Sequence, residues 1–182
     1  MLRHLPNAIC VLRIALTWPA VTAIDRGDYG TALLVFAIAA LSDGIDGYLA
    51  KRFNWISDLG RALDPLADKI LLVAVFLSLT WQGLVPVWLA TAAIARDVLI
   101  FAGAITYRVW FGEINGRPTV ISKINTALQI AVLVLVLLVA AEVPVGDGVV
   151  LTLSIITFAT TVASGVDYLA RFARQAWHLP AR

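Results

Sequence analysis

Almost the whole of this chain consists of apolar runs long enough to cross a lipid bilayer, joined by connections of a few residues. The runs fall at about 6–24, 30–50, 65–84, 85–107, 119–141 and 149–172. Some twenty residues at ~1.5 Å per residue cover ~30 Å of hydrocarbon. The chain therefore reads as an all-α integral membrane protein of about six transmembrane helices. Hydrophobic residues make up 60% of it, with a mean hydropathy of +0.87, far from the composition of a water-soluble domain. No connection is long enough for a soluble domain, so residues 1–182 are expected to form a single membrane domain. The lone cysteine, Cys10, excludes an internal disulfide and fits no metal-binding motif.

Charge sets the orientation. Of the 14 Lys and Arg residues, Arg13, Lys69 and Arg96 fall inside spans, and Arg26 falls on one side. The remaining ten lie on the opposite side, which orients both termini, the loop 51–64 and the loop 108–118 toward the cytoplasm. The first twenty-odd residues have the outline of a signal peptide. Arg13 interrupts their apolar run and a second membrane segment follows, so they are expected to be a span. No Arg-rich transit segment is evident, which favours a bacterial plasma (inner) membrane. Trp55, Trp81, Trp88, Trp110 and Trp177 sit at predicted span ends, as headgroup-level aromatic rings do.

Four aspartates carry the chemistry. Asp43 and Asp46 close the second apolar run, and Asp64 and Asp68 open the third. Spacings of three and four put each pair on one face of its helix. The pairs 43/68 and 46/64 share a midpoint near residue 55, so a helical hairpin would set them opposite one another. Four carboxylates at a membrane edge repel and are costly to desolvate, so a cation must lie between them. With no His or Cys nearby, an all-oxygen site points to hard divalent ions, Mg²⁺ or Mn²⁺. The spacing does not fit an EF-hand loop. An ion pathway lined by the same acids is the competing reading, and predicts a divalent-cation transporter. A structural metal in a scaffold is a third. Gly44, Gly47 and Gly60 favour the first reading, because they clear space for a large ligand beside the carboxylates, at a cost in helix stability.

The pattern Asp43-x2-Asp46-Gly47-x2-Ala50-Lys51-x8-Gly60-x3-Asp64-x3-Asp68 resembles the signature of the CDP-alcohol phosphatidyltransferases. Lys51 stands where that family usually has Arg; it keeps the charge but not the planar fork, and Arg52 follows it. The resemblance implies an enzyme that transfers a phosphatidyl group from CDP-diacylglycerol to an alcohol and releases CMP. It implies two metal ions held by Asp43, Asp46, Asp64 and Asp68, with Asp68 also deprotonating the acceptor. Asp43, Gly47, Ala50, Lys51 and Gly60 would lie along the CDP group. Pro6, Asn7 and Arg13 resemble a family element on the nucleotide side, with Cys10 where Thr is common. A homodimer among membrane lipids is also implied; no nucleic-acid partner is expected.

Two further runs, Ala95-Arg96-Asp97 and Arg117-Pro118-Thr119-Val120-Ile121-Ser122-Lys123-Ile124-Asn125-Thr126-Ala127-Leu128-Gln129, resemble the phosphatidylglycerol-phosphate synthase and cardiolipin synthase branches. The Arg-Asp pair and the Ser-Lys-Ile-Asn-Thr-Ala run look closer to the latter. Arg96, Arg117 and Lys123 are the candidates for the acceptor's phosphate, as fork and point charge. Both candidate acceptors, phosphatidylglycerol and glycerol-3-phosphate, carry a phosphate, so basic residues alone leave both open. Arg96 has a plainer alternative, an intramembrane ion pair with Asp97. Asp167 and Arg171 are spaced for an ordinary i,i+4 pair.

The catalytic reading makes a direct prediction. Asp68→Asn is expected to insert and fold normally while losing turnover by about 10²–10⁴-fold, the range for removing a general base. Comparing CMP release with the yield of monodisperse protein checks it. A scaffold role predicts the reverse, lost yield with the specific activity of the folded fraction retained.

Overall fold

The computed structural model describes residues 5–53, 58–111, 119–146 and 148–177, with side chains described over 9–42, 69–106, 119–146, 148–172 and at 174. Among these residues the chain forms six α-helices and no strands. They are α1 (Leu5–Asp25), α2 (Tyr29–Phe53), α3 (Asp58–Trp81), α4 (Val87–Phe111), α5 (Val120–Ala140) and α6 (Val149–Trp177). Each predicted span lies on one helix, but several helices overrun the apolar runs. α2 continues three residues past the predicted end at 50, and α3 begins seven residues before the predicted start at 65. Charged residues end a hydropathy reading without ending a helix, since Lys, Arg and Leu are all good helix formers. The expected cytoplasmic loop 51–64 is accordingly mostly helix.

The distribution of polarity is inverted relative to a soluble protein. Trp18, Leu34, Leu41, Leu77, Val98 and Leu151 are each more than half exposed. Meanwhile Arg13, Arg96, Asp97, Asn125, Gln129 and Thr157 are buried. Apolar side chains outside, with the polar ones gathered among buried residues, is what a hydrocarbon solvent selects, because only the protein can satisfy a polar group there. Three helices, over Val87–Thr106, Val120–Ala140 and Val149–Phe172, are long and apolar enough to cross a membrane among the described residues.

The helices gather into two compact units. One comprises α1–α3 with Leu133–Gly146, and the other Pro86–Val132 with Asp147–Arg182, so α5 contributes to both. In the first unit α1 packs against both α2 and α3. In the second, α4 and α6 run parallel, as constant residue offsets show. Trp88 meets Phe158 edge to face at 5.2 Å, Arg96 donates to Ser164, and Tyr168 donates to the Ile100 carbonyl, offsets of 70, 68 and 68. The Tyr168 ring lies over Gly103, where a Cβ would come within 2.9 Å of Cε1.

Three helices end the same way. At α1 the Asp28 N–H donates to the Ala23 carbonyl and Gly27 to Ile24; at α3 Leu84 donates to Leu79 and Gly83 to Thr80. At α5 Val143 donates to Leu138 and Glu142 to Val139. Each is the paired 6→1 and 5→2 closure that needs a left-handed residue after the helix. Gly27 (φ 74°) and Gly83 (φ 75°) supply it at little cost, whereas at α5 the position is held by Glu142 at φ 62°. Asp28 then starts α2, its Oδ1 accepting the Thr31 N–H at 3.1 Å; hydrogen bonding from the Thr31 side chain first, and from its backbone second, holds the exposed carboxyl below its ordinary pKa.

Two substitutions test this packing. Glu142→Gly is expected to stabilise the protein by roughly 0.5–1 kcal/mol, the left-handed strain relieved less the extra chain entropy of glycine. Gly103→Ala is expected to destabilise by about 1–3 kcal/mol through overpacking against Tyr168, and much less when combined with Tyr168→Leu. Thermal unfolding of the detergent-solubilised protein measures both.

Candidate active site

Helical register brings the aspartate positions into line with the buried stripes of α2 and α3. On α2 the buried residues Ala32, Phe36 and Ala39 form a stripe with steps of four and three. Continuing those steps reaches positions 43 and 46. On α3, Leu71, Val75 and Leu79 are buried, and stepping back along the same face reaches positions 68 and 64. α2 ends at Phe53 and α3 starts at Asp58, so the midpoint between the two helix ends falls between residues 55 and 56. Position 43 lies ten residues before Phe53 and position 68 ten residues after Asp58; positions 46 and 64 lie seven and six away. The paired spacing in the sequence therefore coincides with nearly equal rise from the two helix ends, about 15 Å and 10 Å. The side chains of Asp43, Asp46, Gly47, Ala50, Lys51, Gly60, Asp64 and Asp68 lie outside the described residues, as does all of Arg117.

α1 contributes a charge to this unit. Its buried stripe is Cys10, Arg13, Thr17, Ala20 and Ile24, with steps of three and four, and Arg13 is 1% exposed. α1 ends at Asp25 and α2 starts at Tyr29, so antiparallel register sets residue 13 level with residue 41. A buried arginine position thus lies within a helical turn of the level of position 43. Thr17 Oγ1 donates to the Arg13 carbonyl at 3.1 Å and satisfies itself within α1.

The second unit is organised around Arg96, which is 6% exposed. Its Nη1 pairs with Asp97 Oδ1 at 2.6 Å, and Nε and Nη2 donate to Ser164 Oγ on α6 at 3.2 and 2.8 Å. Nη2 also donates to Ser122 Oγ on α5. The expected Arg96–Asp97 ion pair is thus present, and the guanidinium ties three helices together. Thr119 caps α5, its Oγ1 accepting the Ser122 N–H at 3.2 Å, which sets the turn that carries Ser122. The neighbouring Lys123 is exposed. The Asp167–Arg171 pair forms as spaced, with Arg171 Nε 3.0 and 3.1 Å from the two carboxylate oxygens.

Below Arg96 a polar seam continues between α5 and α6. Thr160 and Thr161 Oγ1 lie 3.0 and 2.8 Å from Asn125 Oδ1. Residue pairs 122/164 and 125/161 both sum to 286, the mark of an antiparallel register. That register sets Gln129 level with Thr157. Asn125, Gln129, Thr157 and Thr161 are all within 1% of complete burial. Sequence reasoning quoted the α5 run but gave Ser122, Asn125 and Gln129 no roles. Their signal was present: polar residues at 122, 125 and 129, and at 154, 157, 161 and 164, repeat at helical spacing inside apolar spans.

Comparison with known proteins agrees with this architecture. The profile of the CDP-alcohol phosphatidyltransferase family matches residues 3–165. The chain is 38% identical over 181 residues to cardiolipin synthase (CMP-forming) of Homo sapiens, covering 90% of this chain and 60% of that protein. It is 37% identical over 102 residues to cardiolipin synthase (CMP-forming) of Streptomyces coelicolor, covering 53% of this chain and 47% of that one. Against the CDP-diacylglycerol–glycerol-3-phosphate 3-phosphatidyltransferase of Escherichia coli K12 it is 32% identical over 138 residues, covering 71% and 67%. The chain spans about 60% of the length of the first two curated relatives it matches. With a match along nearly its whole length, the chain belongs to the CDP-alcohol phosphatidyltransferase family.

Proposed function

We propose that this protein transfers a phosphatidyl group from CDP-diacylglycerol to phosphatidylglycerol, forming cardiolipin and releasing CMP. The observation that carries the reading is the aspartate register. Its support is that four acidic positions continue, in helical register, the buried stripes described on α2 and α3, in a chain of this family. The named relatives favour the acceptor, since two that are 38% and 37% identical over 90% of this chain are cardiolipin synthases. Glycerol-3-phosphate is the second reading, favoured by the E. coli relative.

In this reading Asp43, Asp46, Asp64 and Asp68 hold two divalent ions, Mg²⁺ or Mn²⁺. An all-oxygen donor set on inward-facing helix positions suits hard cations. Bound there, such ions neutralise the carboxylates and stabilise the charge that develops on the attacked phosphorus and on departing CMP. Asp43, Gly47, Ala50, Lys51 and Gly60 line the CDP group. Asp68 takes the proton of the acceptor hydroxyl as that oxygen attacks the lipid-side phosphorus and the bond to CMP breaks. Arg117 and Lys123 serve the acceptor's phosphate directly, and Arg96 serves it by positioning the groups it hydrogen-bonds. All six helices cross the membrane, with both termini and the active site on the cytoplasmic side of a bacterial plasma membrane. The protein acts as a homodimer. A lipid donor then enters laterally, while CMP leaves to water.

CMP release by the purified protein from CDP-diacylglycerol, with Mg²⁺ or Mn²⁺ and each acceptor in parallel, tests the reading. The expected result is CMP and cardiolipin with phosphatidylglycerol, and loss of both on chelation. Release with glycerol-3-phosphate alone moves the protein to the second reading. Metal flux across sealed vesicles, with no CMP from any alcohol, would replace both with a transporter.

A further inference from the structure

We propose that Ser122 and Asn125, on one face of the first turns of α5, form the edge that receives the acceptor's glycerol-phosphate moiety. Ser122 meets the phosphate, Asn125 meets a glycerol hydroxyl, and Arg96 acts through Ser122 as a positioning residue. This rests on the phosphatidyl-transfer reading. Three observations carry it.

The Arg96 guanidinium is almost fully committed. Of its five N–H groups, one faces Asp97, one Ser122 and two Ser164. It has little left to offer an incoming anion. Ser122 is placed differently. Its Oγ accepts from Arg96, and among the described residues it donates to nothing. A hydroxyl polarised by a buried cation and keeping its own proton is a strengthened donor. It is half-buried rather than enclosed, and the exposed Lys123 follows it.

Asn125 lies one turn further along the same face, about 4.5 Å of rise from Ser122. It is fully buried, and its Nδ2 has no hydrogen-bond partner. Thr160 and Thr161 each have one hydroxyl proton, and both also lie 2.9 and 2.8 Å from the Thr157 carbonyl. If the hydroxyls donate to that carbonyl, the amide turns over and donates to them. In either orientation one amide atom faces the seam unpartnered, a donor in one case and an acceptor in the other. An unpartnered amide enclosed at membrane depth costs stability and therefore calls for a ligand. A glycerol hydroxyl both donates and accepts, so it satisfies either orientation. Beyond Arg96 the seam adds amides and hydroxyls but no further charge, which suits a polyol next to a phosphate.

The test compares wild type, Ser122→Ala, Asn125→Leu and Asn125→Ser as purified full-length protein. Initial rates of CMP release are measured while varying phosphatidylglycerol, glycerol-3-phosphate or CDP-diacylglycerol. The arm in which wild type turns over identifies the source of the glycerol phosphate. With that acceptor, Ser122→Ala and Asn125→Leu should each raise its KM by about tenfold, with the KM for CDP-diacylglycerol within about twofold of wild type. Asn125→Leu should unfold at or above the wild-type temperature, because it removes an unsatisfied amide. If it fails to fold, Asn125→Ser carries the same kinetic expectation. An unchanged acceptor KM with a lowered unfolding temperature makes Asn125 structural and overturns the proposal, as does a shift confined to CDP-diacylglycerol. If wild type releases no CMP in either arm, the transfer reading fails by itself. The decision then passes to thermal shifts induced by glycerol-3-phosphate and by a short-chain phosphatidylglycerol. A shift present in wild type and lost in Asn125→Leu supports the contact, and equal shifts or none refute it.

Discussion

Hydrocarbon offers no hydrogen bonds, and that constraint orders this molecule more than any single contact. Every polar side chain at membrane depth must turn inward and find a partner within the protein. Serine and threonine inside α1, α3 and α4 comply locally, by donating to the carbonyl three or four residues back, as Thr17, Thr80 and Thr91 do. Arg96 has no local solution. It recruits a carboxylate from its own helix and hydroxyls from two others, and in doing so fixes how α4, α5 and α6 meet.

The same constraint explains what was legible beforehand. Helices, their number and their order follow from apolar runs of about twenty residues, which have few other ways to be solvated. The aspartates stood out in the sequence because two periodicities coincide: three-or-four spacing within each pair, and a shared midpoint near residue 55. Helix ends did not. Lys51, Arg52 and Arg61 interrupt hydropathy while favouring helix, so the reading stopped where the hydrogen bonding did not.

The α5–α6 seam was missed for a different reason. Asn125 and Gln129 on α5 and Thr157, Thr160, Thr161 and Ser164 on α6 are small in number and scattered among leucines and valines. Each helix alone reads as a span with a few tolerated polar residues. Only the antiparallel register brings them together, and no local pattern encodes register between two long apolar helices. The roles carried by resemblance stand on another footing. They depend on a fixed signature around the aspartates, and the family match extends from residue 3 to residue 165.

The three matched helix ends bear on how such a chain enters a bilayer. A helix that finishes in free carbonyls must keep them in water, and drags that hydration along when it moves. The ends of α1, α3 and α5 instead fold their last carbonyls onto the backbone of the following turn. Each then passes into the next helix within three, five and eight residues. A reversal that brings its own hydrogen bonds is a smaller polar object than its residue count suggests. Such an end leaves fewer free carbonyls to desolvate, although Asp25, Arg26 and Asp28 remain exposed beside the first of them. At the end of α5 the same closure is made by Glu142, a charged residue held in a left-handed backbone that glycine adopts more cheaply.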